Sequence, residues 1–161
     1  MIRNGGWLAV LVTCLALFVG CSDGDSADSA TTAPATGAAG ESGLTLAIDP
    51  ASPAAGETVE LLVEGPSGVE ATYGADVLLE RRDGEAWVAS HTLVAADVDG
   101  VPTPIDEQVT VPAIAYAGGE GVAYALPEVG SGRYRVSREV AVTGVPGVVA
   151  ETLTAEFEIT S

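Results

Sequence analysis

The residues of this 161-residue chain that could carry chemistry are few and scattered. His91 is the single imidazole. With no free cysteine beside it, His91 could serve only a Ser/His/Asp relay, and no Gly-x-Ser-x-Gly nucleophile turn occurs in the chain. Its place in an alternating segment predicts a surface strand residue. A carboxylate pair for glycoside hydrolysis is formally available among the 19 acids from Asp49 onward. Most of them alternate outward on strand-like segments, where charge keeps a sheet soluble and blunts its edges. Asp97-Val98-Asp99-Gly100 is the one segment with the makings of a cation loop, since calcium wants several oxygens gathered by a glycine turn. Asp97 and Asp99 are the calcium candidates, but no bidentate Glu follows at EF-hand spacing. The segment reads as a solvated acidic loop, and neither a metal nor a cofactor is expected. Trp87, Tyr73, Tyr116 and Tyr124 could form an aromatic binding surface; in a chain with 2 Phe they are needed first as core and rim.

Composition removes further classes. One His and 2 Cys leave too few ligands for a Cys/His zinc site. All 6 basic residues are Arg, against 23 Asp and Glu, giving a net charge of −17. Five of them fall in two clusters, Arg81–Arg82 and Arg133, Arg135 and Arg138, leaving no basic face to neutralise phosphates; nucleic acid is excluded as a partner.

The cysteine that carries a specific signal is Cys21. It follows a short head containing Arg3 and a 13-residue run, Trp7 to Val19, interrupted only by Thr13 and Cys14. That length suits a signal-peptide core, whereas a spanning helix needs about 20 apolar residues. Leu17-Phe18-Val19-Gly20-Cys21 resembles the lipobox of bacterial lipoproteins, with a small residue before a Cys whose thiol takes diacylglycerol and Phe18 where Leu is usual. Residues 1–20 are expected to be a lipoprotein signal peptide and Cys21 the lipidated N-terminus of the mature chain. Cys21 is then the only mature cysteine, so no internal disulfide can form and the fold must rest on its core. The protein is expected at the extracytoplasmic face of a cell membrane.

Residues 22–43 use only Ser, Asp, Gly, Ala, Thr, Pro and one Glu. Lacking any large apolar side chain, the segment is expected to be a disordered linker, with a reach of roughly 25 Å on average and about 70 Å at full stretch. From Leu44 the texture changes to period-two alternation punctuated by Gly and Pro. Leu44, Leu46 and Ile48 alternate with Thr45, Ala47 and Asp49; Val59, Leu61 and Val63 with Thr58, Glu60, Leu62 and Glu64; and Leu153, Ala155, Phe157 and Ile159 with Thr154, Glu156, Glu158 and Thr160. Asp76 to Arg82 and Glu85 to Thr92 flank Asp83-Gly84 and read as a hairpin. Pro102, Pro104 and Pro112 exclude a central strand around them. Strands resume over Gly121 to Leu126 and Gly132 to Thr143. About seven strands between residues 44 and 161 predict an all-β sandwich of immunoglobulin type. Arg138 shares the phase of Tyr134, Val136, Val140 and Val142, so either a bulge shifts the register there or its guanidinium reaches water at the sandwich end.

Gly132-Arg133-Tyr134-Arg135-Val136 resembles the tyrosine corner of immunoglobulin-like sandwiches, making Tyr134 the corner candidate. Together with Asp83-Gly84-Glu85-Ala86-Trp87 and Ala155-Glu156-Phe157-Glu158-Ile159, it resembles a bacterial immunoglobulin-like domain family of secreted and lipid-anchored Gram-positive proteins. The resemblance implies a compact, non-catalytic module with no catalytic residues to carry over. It would bind an envelope or extracellular protein. The alternative is a protease-inhibitor-like or ligand-sequestering domain, motivated by the charged hairpin Arg81 to Trp87.

Overall fold

The computed structural model describes residues 33–160. It is all-β, two antiparallel sheets packed as a sandwich. One sheet holds β1 (Ala35–Thr36), β2 (Thr45–Asp49), β3 (Thr58–Glu64) and β9 (Gly121–Ala125), in the order β1-β2-β3-β9. The other is built from β4 (Glu70–Gly74), β5 (Asp76–Asp83), β6 (Ala86–Val94), β7 (Thr103–Pro104), β8 (Ala115–Ala117), β10 (Gly132–Thr143) and β11 (Ala150–Ile159). If β4 and β5 are counted as one kinked strand, the first, second and fifth main strands share one sheet and the rest the other. That is the arrangement of an immunoglobulin-like sandwich.

Alternation decides which face each strand buries. Leu46, Ile48, Val59, Leu61 and Val63 from one sheet meet Leu79, Val136, Val140, Leu153 and Ile159 from the other in a single core. Each such side chain is worth about 1.5–3 kcal/mol of burial. In β5–β6 the two-residue loop is Gly84–Glu85, with Asp83 still paired to Ala86 and Gly84 alone taking a positive φ, 57°. A register shift after Leu79 leaves Ser90 as the extra residue of a bulge. β7, with Pro104, sits at the sheet edge, where a missing N–H costs no ladder bond. The loops 50–57, 84–85 and 126–131 lie at one end of the sandwich, the hairpin end. The loops 65–69, 118–120 and 144–149 lie at the far end.

β10 organises the second sheet. β11 pairs with it continuously from Gly132↔Ile159 to Ala141↔Ala150. Its other edge is shared, β5 taking Tyr134 to Ser137 and β4 taking Ala141 to Thr143. Between those stretches residues 138–140 face residues 73–77, so the β4–β5 strand is kinked opposite Arg138.

The segment expected to be a linker as far as Gly43 is structured over its last eleven residues, 33–43. β1 pairs antiparallel with β2, Ala35 opposite Ile48, and the Gly37 and Gly40 amides donate to the Leu46 and Leu44 carbonyls at 2.8 Å each. Composition misled here because edge pairing satisfies backbone groups without any large side chain. Glycine is required at position 37, where a Cβ would overlap the Thr154 carbonyl oxygen of β11. Ser42 is buried, its hydroxyl donating to Glu151. Residues 22–32, which share that expectation, lie outside the described residues.

Gly37→Ala is expected to detach the 33–43 strap. Limited proteolysis would then cleave ahead of Leu44 at least tenfold faster than in the parent, while the sandwich stays folded. Leu153→Ala, in the middle of the core, is expected to cost about 2–5 kcal/mol in denaturant unfolding.

Candidate functional site

The most unusual group in the sandwich is Arg138. Its side chain follows the inward phase of β10 and is 1% exposed, neither displaced by a bulge in β10 nor led out to water at the sandwich end. The sequence expectation fails because the irregularity lies on the opposite strand. The kink between Gly74 and Asp76 brings Tyr73 over Arg138 and leaves the guanidinium inside. Its carbon lies 4.3 Å from the Tyr73 ring centroid and 5.1 Å from that of Tyr124, which β9 contributes from the facing sheet. Such cation–π contacts recover part of the lost hydration. Nη2 donates to the Tyr124 hydroxyl, while Nε and Nη1 are buried without an acceptor.

A short polar chain leads from this centre to the surface. The Tyr73 hydroxyl is 3.2 Å from the carbonyls of both Ala117 and Glu120, and its ring stacks on Tyr116 of β8 with centroids 6.0 Å apart. Tyr116 donates to Asp97 Oδ1 at 2.6 Å, Asp97 belonging to a 3-10 turn, Ala96–Val98. Burial pushes the Tyr73 and Tyr124 hydroxyls above their ordinary range, the Arg138 charge opposing the rise in both. Tyr116 is pushed up to about 12, by desolvation first and then by the hydrogen bond to Asp97. All three tyrosines are therefore neutral donors at physiological pH.

The residues singled out from the sequence are dispersed. Cys21 lies outside the described residues. The Tyr134 hydroxyl donates to the Gly130 carbonyl at 2.8 Å, tying the start of β10 to the preceding loop as a tyrosine corner does. Asp97 is engaged with Tyr116, and Asp99 ends the turn at φ 55°. Among the described residues these two acids do not converge with a third metal-ligating side chain. His91 is half-buried opposite Leu79 and Pro104 rather than at the surface, with Ser90 Oγ 2.6 Å from Nδ1. The β6 bulge turns both inward. Burial lowers the imidazole pKa, and no carboxylate is hydrogen-bonded to the ring to orient it as a relay base.

On the outer face of the second sheet, Arg135 forks onto Glu80, with Nε 2.6 Å and Nη2 2.8 Å from the two carboxylate oxygens. Ser137 adds a third bond at 2.5 Å. Glu80 is thereby held below the usual carboxylate range, chiefly by the Arg135 hydrogen bonds. Trp87 lies beside this pair, its ring centroid 4.9 Å from the Arg135 guanidinium carbon and 5.3 Å from that of Arg82. At the far end an open cleft of about 580 Å³ lies between β3, β4 and β8, with an apolar floor including Val63 and Ala71 and a rim of Glu64 and Glu70. Sequence reading missed the Arg138 cluster. The only available signal was an arginine in the apolar phase of a strand, together with three tyrosines in a chain otherwise poor in aromatics.

Fold and site together define an immunoglobulin-like β-sandwich with an arginine at its centre and no cysteine in residues 33–160. Compared with family models, curated proteins and solved structures, the chain matches none.

Replacing buried ionic groups by well-packed apolar side chains of similar volume is often neutral or stabilising, because the desolvation cost is removed. Arg138→Met is expected to raise the unfolding free energy by about 1–4 kcal/mol at low ionic strength, read by denaturant titration. Glu80 acts with a definite sign: its folded pKa lies below the reference 4.5, so its contribution is complete above that pH and is lost as pH falls through the lowered folded value. Glu80→Gln should lower the thermal midpoint at neutral pH and flatten its decline in acid.

Proposed function

We propose that this protein is a lipid-anchored, non-catalytic module of the bacterial cell envelope, related to the bacterial immunoglobulin-like domains and displayed at the extracytoplasmic face of the membrane to bind an envelope or extracellular protein. The observation that carries it is the position of Cys21, directly after a 13-residue apolar run and Gly20 and twelve residues before the described sandwich. Twelve residues reach about 40 Å at most. The chain enters the sandwich at the hairpin end, where Ala35 pairs with Ile48.

The charge distribution agrees with a partner beyond the membrane. Arg81, Arg82, Arg133 and Arg135, the arginines that reach the surface of the described residues, lie toward the hairpin end, and Arg138 is buried. Glu41, Glu64, Glu70 and Glu120 surround the far end with no basic side chain among them. An end of that composition repels anionic surfaces and favours a cationic one, with an association rate that falls as salt is added.

Mass analysis of the mature N-terminus tests the anchor: a diacylglyceryl Cys21 is expected, and an unmodified N-terminus at another residue overturns the reading. Cys21→Ser should move the protein from the membrane fraction to an uncleaved precursor or the medium.

A further inference from the structure

The interior of the sandwich holds one charge that its protein neighbours do not neutralise. That charge is the Arg138 guanidinium, 1% exposed. The ion pairs among the described residues are Arg133–Glu156 and Arg135–Glu80, both on the outer face of the sheet. Tyrosinate is not available to balance the charge, because burial holds the Tyr73 and Tyr124 hydroxyls in their protonated form. Asp97 is already the acceptor for Tyr116, and Asp76 and Glu120, which act through space on Tyr124 and Tyr73, make no ion pair with Arg138.

The unmet hydrogen bonds are all of one kind. Arg138 Nε and Nη1 lie buried with no acceptor. The Tyr124 hydroxyl accepts from Nη2, which leaves its own hydrogen to donate, and no acceptor among the described residues takes it. The Tyr73 and Tyr116 hydroxyls donate outward, to backbone carbonyls and to Asp97, and although the Tyr73 oxygen lies close enough to Arg138 to feel its charge, neither hydroxyl accepts from Nε or Nη1. The cluster is thus a buried nest of donors around a fixed positive charge. A water molecule would accept from it but bring two hydrogens of its own and no charge. A small anion accepts from several donors at once and cancels the charge.

We infer that Arg138 is an anion-binding residue: a small monovalent anion of halide size is held in the plane of its guanidinium by a free N–H of Arg138 and the Tyr124 O–H. Tyr73 lies against the guanidinium and Tyr124 takes its Nη2, which leaves the ligand the space beside Nε and Nη1 and limits its size. Tyr116 closes the approach from the surface, held by its stack on Tyr73 and its bond to Asp97. β8, the strand that carries it, has three residues and pairs on one edge only, so a small displacement opens the path. The site serves the fold by completing the core and makes stability respond to the surrounding anion.

The test is thermal unfolding of the full chain in neutral detergent, at fixed ionic strength, with chloride replaced stepwise by gluconate, which is too large for the cluster. A ligand bound only by the folded state raises the midpoint with its concentration. The midpoint should fall by several degrees as chloride is withdrawn, and the dependence should disappear in Arg138→Met and weaken in Tyr124→Phe, which keeps the ring and removes the donor. A midpoint indifferent to chloride, or an equal dependence in Arg138→Met, overturns the inference. A crystal soaked in bromide reads the same site without a variant: anomalous density beside the Arg138 guanidinium is expected, and its absence there is the contrary result.

Discussion

Backbone pairing along β10 is the constraint on which the rest of this structure hangs. The strand is covered on one edge by β11 over its full paired length and on the other by two strands in succession. It therefore fixes the register of half the sandwich. It also carries the tyrosine corner at one end, the Arg135–Glu80–Ser137 bonds on its outer face and Arg138 on its inner face. The kink in β4–β5 opposite residues 138–140 is the cost of fitting one long strand against two shorter ones. The space it makes brings Tyr73 against a guanidinium that Tyr124 meets from the facing sheet.

The two faces of β10 treat charge in opposite ways. Arg135, half-buried on the outer face, finds a bidentate carboxylate and a cross-strand tryptophan, and the pair links β5 to β10. Arg138, fully buried, has aromatic faces and a phenol instead of a counter-ion. Salt bridges at a sheet surface add little stability each, whereas an unpaired interior charge is expensive. The strap of residues 33–43 follows a different economy. It has almost no hydrophobic content and is held by backbone hydrogen bonds to β2 and by Ser42 on Glu151.

Much of the fold was legible from alternation. β10 is read as Gly132 to Thr143 from sequence and has those bounds in the structure, and the terminal strand and the β5–β6 hairpin fall where the pattern places them. Each of these has an apolar side chain at every second position, which is the physical requirement of a sheet with one face buried. β1, β4 and β8 were not legible. Ala35–Thr36 has no apolar face, Glu70–Gly74 offers only Ala71 and Tyr73, and Ala115–Ala117 is three residues. Strands this short form because a neighbouring edge is waiting for them, and that edge exists only after the sheet has assembled.

The sequence by itself determined the all-β class, the seven main strands, the strong negative charge and a short apolar run followed by Gly20-Cys21, because each depends on local pattern or composition alone. The tertiary structure alone decided that Arg138 lies in the core, that residues 33–43 belong to the domain, and that the surface arginines gather toward one end. A period-two pattern states which face a side chain takes. It carries no information about the kink of the strand packed against that face, and that kink set the environment of Arg138.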